Sequence, residues 1–162
     1  MNLIVVVDEK WGIGCNNDLL FRLKKDMKFF RETTTGKVVV MGANTFASFK
    51  NGALPNRINI VLDASGAVHE GAISVSTVEA LNRELTKYDT DDVFIIGGAS
   101  VYRLMLNDCD KAYVTKVQAD GQAELFFPNL DEMPEWKLTE QSEPVADGEY
   151  IITFCKYEHI SK

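Results

Sequence analysis

An acidic residue interrupts an apolar helical pattern near the start of the chain. Residues 20–34 read LFRLKKDMKFFRETT, and at about 100° per residue Leu23, Met27 and Phe30 fall on one helix face. Asp26 lies beside that face, where a buried charge without partners is costly. Two interpretations stay open. Asp26 either accepts backbone N–H groups in the first turn of its helix, or it lines a pocket and serves a ligand as acceptor or acid–base group.

Positive charge is concentrated in the first third of a chain that is acidic as a whole. The 162 residues carry 17 basic and 24 acidic side chains, a net charge of −7. This balance disfavours DNA, RNA and anionic membranes as partners. Nearly half of the basic residues are Arg22, Lys24, Lys25, Lys28, Arg31, Lys37, Lys50 and Arg57. The helix lysines are typical of a solvated face, whereas Arg57 follows a Leu-Pro turn and is a candidate for binding an anion.

Two junctions between a strand and a helix contain glycine. The segments are VVVMGANTFAS (38–48) and IIGGASVY (95–102). Gly42 ends the first apolar run, with Asn44 or Thr45 as the candidate N-cap, and Gly97 and Gly98 end the second. Glycine lets a ligand approach the backbone closely, and free N–H groups suit phosphate. One such junction is more typical of a tight turn, but two in a small sheet predict an extended ligand such as a dinucleotide.

Other chemistries find little support in the sequence. Cys15, Cys109 and Cys155 are odd in number and widely spaced, which suggests neither a disulfide framework nor a zinc site and favours the reducing cytoplasm. His69 and His159 lie far from any GxSxG motif, and no cluster has metal-ligand spacing, so no metal is expected. The apolar run LIVVV is too short for a signal peptide or a membrane span.

Short apolar runs alternate with helical patterns over most of the chain. Strands are predicted at 2–8, 37–42, 58–63, 72–76 and 92–98, and helices at 23–33, 44–50, 77–87 and 99–107. Continuous Val/Ile runs indicate strands buried on both faces of a parallel sheet covered by helices. Two further runs, 111–118 and 149–158, are predicted to pair antiparallel at one edge of the sheet. The length favours a single domain over residues 1–162.

The candidate site lies at the carboxyl ends of these strands. In open α/β sheets ligands bind beyond those ends, here after residues 7, 42, 63 and 98. The segment DEKWGIGCNNDLLF (8–21) is long for a connection in a compact domain. It predicts a lid that closes over the site, with an ordinary ordered connection as the alternative.

Seven segments, taken in order, resemble the dihydrofolate reductase family over essentially the whole chain. They are LIVVV, WGIGCNNDLLF, the helix with Asp26 and Phe30, VVVMGANTFASF, LPNRINIVL, FIIGGASVY and AYVTKV. The resemblance implies an α/β fold whose central eight-stranded sheet is mostly parallel, is flanked by helices and has an antiparallel C-terminal edge. It also implies hydride transfer from NADPH to 7,8-dihydrofolate, giving the tetrahydrofolate used in one-carbon metabolism and thymidylate synthesis. Antifolate inhibitors would bind the same site.

The resemblance also assigns site residues. Catalytic roles fall to Asp26, Leu19, Phe21 and Thr115: Asp26 hydrogen-bonds the pterin and promotes protonation of its N5=C6 imine, and Thr115 supports the Asp26 carboxylate. Arg57 would pair with the glutamate α-carboxylate of folate. The apolar walls would be Val5, Val6, Leu19, Met27, Phe30, Phe49 and Leu54. The cofactor site would comprise Val6, Ile13, Gly14, Leu19, Gly42, Ala43, Asn44, Thr45, Leu62, Asp63, Ala64, Ile96, Gly97, Gly98, Ala99, Ser100, Val101 and Tyr102, with Ile13, Gly14 and Leu19 in the lid.

Several positions depart from the family pattern. Leu20-Phe21 replaces the Pro-Trp of most bacterial members, which removes an indole N–H that helps to hold a pocket water. Positions that commonly contact the cofactor 2′-phosphate carry no cation here: Ala43, Asn44, Asp63, Ala64 and Ser100. Such cations select NADPH over NADH. Because they are missing here, we expect NADPH to be favoured by only a small margin, with NADH possible.

Two other functions stay open at this point. One is a different pterin- or pyrimidine-reducing enzyme on the same scaffold, against which Asp26 and the arginine of LPNR argue. The other is a nucleotide-binding module without catalysis, which predicts cofactor binding but no folate-dependent turnover. No feature predicts an oligomer, so a monomer is expected.

Overall fold

The structure is a computed structural model that describes residues 1–15 and 18–161. Its strands are β1 (Asn2–Val7), β2 (Gly12–Cys15), β3 (Asp18–Leu19), β4 (Val38–Gly42), β5 (Ile58–Leu62), β6 (Ile73–Val75), β7 (Val93–Gly97), β8 (Lys111–Val117), β9 (Leu125–Phe126), β10 (Trp136–Gln141), β11 (Val145–Asp147) and β12 (Tyr150–His159). The helices are α1 (Lys24–Thr34), α2 (Ala43–Ala47), α3 (Val78–Leu85) and α4 (Ala99–Met105). Short 3-10 turns lie at Thr90–Asp92, Leu106–Asp108 and Leu130–Glu132.

One large sheet runs through the molecule. Its strand order is β10-β12-β8-β1-β7-β4-β5-β6, and the short β11 pairs with β12. All neighbours from β8 to β6 are parallel, whereas β12 is antiparallel to β8, β10 and β11. The mostly parallel sheet and its antiparallel C-terminal edge are thereby confirmed.

Both faces of the sheet are covered, as the continuous Val/Ile runs predict. Leu3, Val5 and Val7 of β1 belong to the core that also contains side chains of α3 and α4. Ile4 belongs to a second core, against which the Phe29 and Phe30 side chains of α1 pack. Because successive strand residues point to opposite faces, α1 and its Asp26 lie on the side of Ile4.

The structure corrects some local predictions. The predicted helix at 44–50 is Ala43–Ala47, and its N-cap is Gly42 rather than Asn44 or Thr45. The strands β2, β3, β9, β10 and β11 are additional to the predicted ones. Most of these are two to four residues long, too short for an alternating pattern to stand out. In the described part of the chain no helix has the length and apolar character to span a membrane.

Candidate active site

Among the described residues, the contacts of Asp26 favour the pocket interpretation of its sequence position over capping of its own helix. It lies in the first turn of α1, but its carboxylate Oδ1 accepts a hydrogen bond from the Thr115 hydroxyl of β8 at 2.7 Å. Burial raises the pKa of Asp26 from 3.8 to about 6, against the lowering effect of the Thr115 hydrogen bond, and the charge of Asp147 raises it further. This carboxyl therefore holds a proton at a higher pH than an exposed aspartate does.

A pocket opens beside the Asp26 carboxylate, and we call it the Asp26 pocket. It is lined by Val6, Ile13, Leu19, Leu20, Phe21, Arg22, Leu23, Asp26 and Met27. Leu19 and Met27 are more than half exposed at its mouth. The predicted wall residue Val5 is not among the lining residues, because its side chain packs in the core on the opposite face of the sheet.

Other predicted wall residues extend the apolar surface along the same face of the sheet. Phe30, Phe49 and Leu54 pack against the core that contains Ile4, together with Phe46 and Ile96. This surface leads from the start of α1 toward Arg57, whose guanidinium carbon lies 5.9 Å from the centre of the Phe30 ring. A flat ligand with an anionic tail has the shape to follow it.

Arg57 is fixed by neighbouring oxygens. Its Nη1 donates to the Thr34 hydroxyl at 3.0 Å and its Nε to the Pro55 carbonyl at 2.9 Å. Burial, followed by repulsion from Arg31, lowers the pKa of Arg57. Within residues 1–15 and 18–161 no acidic side chain forms an ion pair with Arg57. A ligand carboxylate would supply the missing charge with the planar geometry that a guanidinium recognises.

Two buried polar residues that support Arg57 were not predicted. The Asn59 side-chain oxygen accepts a hydrogen bond from Leu54 N, and its amide nitrogen donates to the carbonyls of Leu54 and Arg57. These three hydrogen bonds close the LPNR turn. Thr34 is fully buried and also donates to the Phe30 carbonyl. Asn59 could have been recognised from the sequence, because it is the one polar residue in the apolar run INIVL. Thr34 left no comparable signal, because its partner Arg57 lies 23 residues away.

The two glycine junctions meet at neighbouring strand ends, and we call this region, formed by Gly42, Thr45, Gly97 and Gly98, the glycine edge. β4 and β7 are adjacent and parallel. A Cβ built on either Gly97 or Gly98 would lie 3.4 Å from the Thr45 hydroxyl, and Gly97 has φ +130°. The Gly97–Gly98 peptide bond is cis. The edge thus presents bare backbone and one hydroxyl group to a ligand.

Two residues predicted for the cofactor site lie beneath this edge. Tyr102 is buried and donates its hydroxyl to the Ile4 carbonyl at 2.7 Å, and its burial raises the pKa of that hydroxyl. Val101 is also buried, and a Cβ built on Gly42 would lie 3.2 Å from its Cγ2. Both side chains support the glycine edge from the core side. Ala99 is the first residue of α4, after Gly98.

The end of β5 carries an acidic residue. Leu62 ends the strand, and the Asp63 carboxylate accepts from the Ser65 hydroxyl at 2.7 Å and contacts His69 Nε2 at 2.8 Å. The hydrogen bonds from Ser65, then the one from His69, lower the pKa of Asp63. The other positions considered for phosphate contacts carry no charge: Ala43, Asn44, Ala64 and Ser100.

The predicted lid is partly regular structure. β2 pairs with β3 and β9 in a separate antiparallel sheet, which contains Ile13, Gly14 and Leu19. The Asp8 carboxylate anchors the start of this segment by accepting from Gly12 N at 2.7 Å and Gly121 N at 2.9 Å. Asp8, which is buried, was not predicted. Residues 16 and 17 of the predicted lid lie outside the described residues.

The chain is similar to known dihydrofolate reductases over nearly its whole length. The family model described as dihydrofolate reductase matches residues 1–159. The dihydrofolate reductase of Haemophilus influenzae is 36% identical over 137 residues, which cover 85% of this chain and 83% of that protein. The dihydrofolate reductase of Bacillus subtilis is 31% identical over 161 residues, which cover 98% of this chain and 94% of that protein.

A solved structure has the same fold. The Enterococcus faecalis dihydrofolate reductase, in complex with NADP(H) and RAB-propyl, superposes with a TM-score of 0.86 at 29% identity, covering 98% of this chain and 95% of that one. The resemblance read from the seven ordered segments is thereby confirmed. The chain belongs to the dihydrofolate reductase family, whose members are NADPH-dependent oxidoreductases.

Proposed function

We propose that this protein reduces 7,8-dihydrofolate to tetrahydrofolate with NADPH, and that Asp26 is its acid–base residue. The observation that carries the proposal is a largely buried carboxyl with a pKa of about 6, placed in an apolar pocket and bonded by Thr115. Leu19 and Phe21 complete the catalytic set as walls of this pocket. The pocket lies on the face of the sheet that leads to Arg57, as a pterin with a glutamate tail requires.

The glycine edge fits the cofactor. Gly97 has a backbone conformation that favours glycine, and the Thr45 hydroxyl lies beside both glycines. A pyrophosphate can therefore approach the backbone of both glycines without meeting a Cβ atom, and the Thr45 hydroxyl can donate a hydrogen bond to it. We assign the cofactor contacts to the glycine edge with Ala43, Asn44, Leu62, Asp63, Ala64, Ile96, Ala99 and Ser100, and the lid contacts to Ile13, Gly14 and Leu19.

The chemistry requires a hydride and a proton. NADPH, when bound, supplies the hydride. A hydride adds to the pterin imine only when N5 receives a proton, and Asp26 holds or relays that proton. With a pKa near 6, about one tenth of the Asp26 carboxyls are protonated at pH 7. The Thr115 hydroxyl holds the carboxyl in place while the proton moves.

The remaining side chains orient the substrate and exclude water. Arg57 would bind the substrate carboxylate in a bidentate manner. Phe30, Phe49 and Leu54 would contact the benzoyl group, and Val6 and Met27 the pterin. Phe21 has no polar group with which to hold water, so we expect the Asp26 carboxyl to order the water near the pterin. Antifolate inhibitors would bind in the same pocket.

We also propose the domain organisation, oligomeric state and compartment of the protein. Residues 1–162 would form one domain that acts as a monomer in the cytoplasm and binds no nucleic acid. The net charge of −7 supports the last point. Cys109 and Cys155, both buried and unbridged, are compatible with a reducing compartment.

The test is the initial rate of dihydrofolate-dependent oxidation of NADPH, with the wild type beside Asp26→Asn and Glu32→Gln. Both substitutions remove one negative charge from α1, but Glu32 is exposed. We expect Asp26→Asn to lower turnover at pH 7 by a factor on the order of 10²–10⁴, with partial recovery at low pH, where the substrate is itself protonated. Glu32→Gln should keep the wild-type rate.

The alternatives give different results in this assay. A reductase for another pterin or pyrimidine would turn over its own substrate and not dihydrofolate. A binding module would bind NADPH, and its melting temperature would rise with that cofactor, but no oxidation would follow. Wild-type rates in Asp26→Asn would remove Asp26 from the mechanism.

A further inference from the structure

The helix that carries Asp26 lacks a cap of its own. Its N-cap residue is Leu23, whose side chain cannot accept a hydrogen bond. Asp26 occupies the third position of the helix, from which an acidic side chain commonly folds back to bond the N-cap N–H. Its Oδ1 instead accepts from Thr115. The first turn of α1 therefore needs an acceptor from elsewhere in the chain.

Asp147 supplies that acceptor. Its Oδ2 accepts from Lys25 N at 2.8 Å and lies 3.4 Å from Asp26 N. These are the second and third N–H groups of the helix, the pair that an N-cap side chain ordinarily serves. Asp147 is only 5% exposed and is separated from Asp26 by 121 residues. The cap is thus tertiary: it forms only when the C-terminal edge of the sheet is in place.

The hairpin that carries Asp147 contacts both the Asp26 pocket and the start of α1. Asp147 pairs with Tyr150 across a two-residue turn that contains Gly148 at φ +61°. The Tyr150 ring lies 4.8 Å from that of Phe21, a residue of the Asp26 pocket. Lys25 Nζ also donates to the Ala146 carbonyl at 2.6 Å. The pocket wall, the start of α1 and this hairpin therefore form one connected unit.

We propose that Asp147 is a positioning residue for the reduction, whose carboxylate replaces the missing cap of α1 and so holds the Asp26 carboxyl against Thr115. This inference rests on the function proposed above for Asp26. Nothing in the sequence around VADGEY distinguishes Asp147 from an ordinary turn residue, and its role follows from the two backbone N–H groups that it meets.

The charge of Asp147 has a second consequence. After burial, it is the remaining influence that raises the pKa of Asp26. Other titratable or charged groups lie near the pair. Arg22 lines the same pocket as Asp26, and the Lys25 backbone and ammonium bond the hairpin that carries Asp147. Tyr102 of α4 feels the charge of Asp26, and Tyr150 of β12 pairs with Asp147. Lys116 of β8 pairs with Asp131. Removing the negative charge at position 147 makes ionised Asp26 more stable, so the pKa of Asp26 falls.

The experiment compares Asp147→Asn with Asp147→Ala, using the single-turnover rate of hydride transfer from pH 5 to 9 and the melting temperature. Asparagine keeps an oxygen for the two N–H groups but removes the charge. We expect Asp147→Asn to melt near the wild type and to match its rate at pH 5. Its rate at pH 8 should be lower by roughly two- to fivefold, because the falling limb moves to lower pH.

Asp147→Ala removes the cap as well as the charge. We expect a rate about tenfold lower at pH 5, where only the cap matters, and about 20- to 50-fold lower at pH 8, where the lost charge adds its own effect. The melting temperature should fall, the KM for NADPH should be almost unchanged, and asparagine should restore the rate at pH 5. Glu149→Gln, an exposed neighbour in the same hairpin, is the control and should behave as the wild type. If Asp147→Ala does not fold, hydrogen exchange of the Lys25 and Asp26 backbone amides in the wild type decides the question. Slow exchange of both supports the cap, and fast exchange of both overturns it.

Folded Asp147→Ala with the wild-type rate at pH 5 would overturn the inference, because loss of the cap would then leave Asp26 in its working position. The same assay run on Asp26→Asn separates this failure from that of the proposed function. Full activity in Asp26→Asn rejects the role of Asp26. Loss of activity there, with no effect at position 147, rejects the role of Asp147 alone.

Discussion

The Asp26 pocket with Arg57 differs from the glycine edge in the groups that it presents: the first presents charged side chains, and the second presents backbone. In the first region we expect charged side chains to contact the ligand, and each of them is hydrogen-bonded to a hydroxyl group: Asp26 to Thr115 at 2.7 Å and Arg57 to Thr34 at 3.0 Å. At the glycine edge we expect the contacts to come from the backbone around Gly97 and Gly98, which have no side chains to cover it. Side-chain chemistry should therefore control substrate binding, whereas backbone shape should control cofactor binding.

The largest effect on binding should come from Arg57. We expect Arg57→Ala to weaken dihydrofolate binding by about 2–5 kcal/mol, because it removes one partner of a desolvated charge pair. Arg57→Lys keeps the charge but not the planar fork and should recover only part of the loss. Calorimetric titration with dihydrofolate measures both. Arg83→Ala, in which an exposed arginine of α3 is removed, is the control, and unchanged binding in Arg57→Ala would place the substrate carboxylate elsewhere.

The ionised Asp26 carboxylate should lower the free energy of unfolding at neutral pH. Its pKa rises from 3.8 to about 6 on folding, so between these values the folded chain binds more protons than the unfolded chain. The free energy of unfolding therefore falls as the pH rises through this window. We expect Asp26→Asn to raise it by about 1–3 kcal/mol at pH 7 and by little below about pH 4. Urea unfolding at the two pH values tests this, and equal stability at pH 7 would contradict it.

The two adjacent glycines should respond differently to alanine. Gly97 has φ +130°, so Gly97→Ala should lower the free energy of unfolding by about 1–3 kcal/mol. Gly98 has φ −85°, which alanine tolerates. Gly98→Ala should therefore keep the wild-type melting temperature and raise the KM for NADPH by about tenfold, because the new methyl group occupies the approach to the backbone. An unchanged KM would mean that the cofactor does not approach this backbone.

The sequence was informative wherever function depends on residue type at a local position. Asp26, Arg57 and the glycine junctions stand out because their types do not fit their surroundings. Asp147 and Thr34 do not stand out, because each acts on a partner that only the folded chain brings near. Val5 shows the converse: adjacent strand residues face opposite sides, so Val5 and Val6 could not both send side chains into one pocket.

The smallest effect concerns the choice between NADPH and NADH. The ionised Asp63 at the end of β5, held by Ser65 and His69, is of the type that binds a ribose hydroxyl and repels a 2′-phosphate. Since no cation stands at the other phosphate positions, we expect kcat/KM for NADPH to exceed that for NADH by only about tenfold or less.

Asp63→Asn should raise this ratio by roughly threefold, and added salt should shrink that difference because the charge is near solvent. Glu132→Gln, which removes a remote negative charge from the 3-10 turn at Leu130–Glu132, separates local from overall charge. A ratio that is unchanged in Asp63→Asn would mean that the 2′-phosphate lies away from β5 and that backbone shape alone recognises the cofactor.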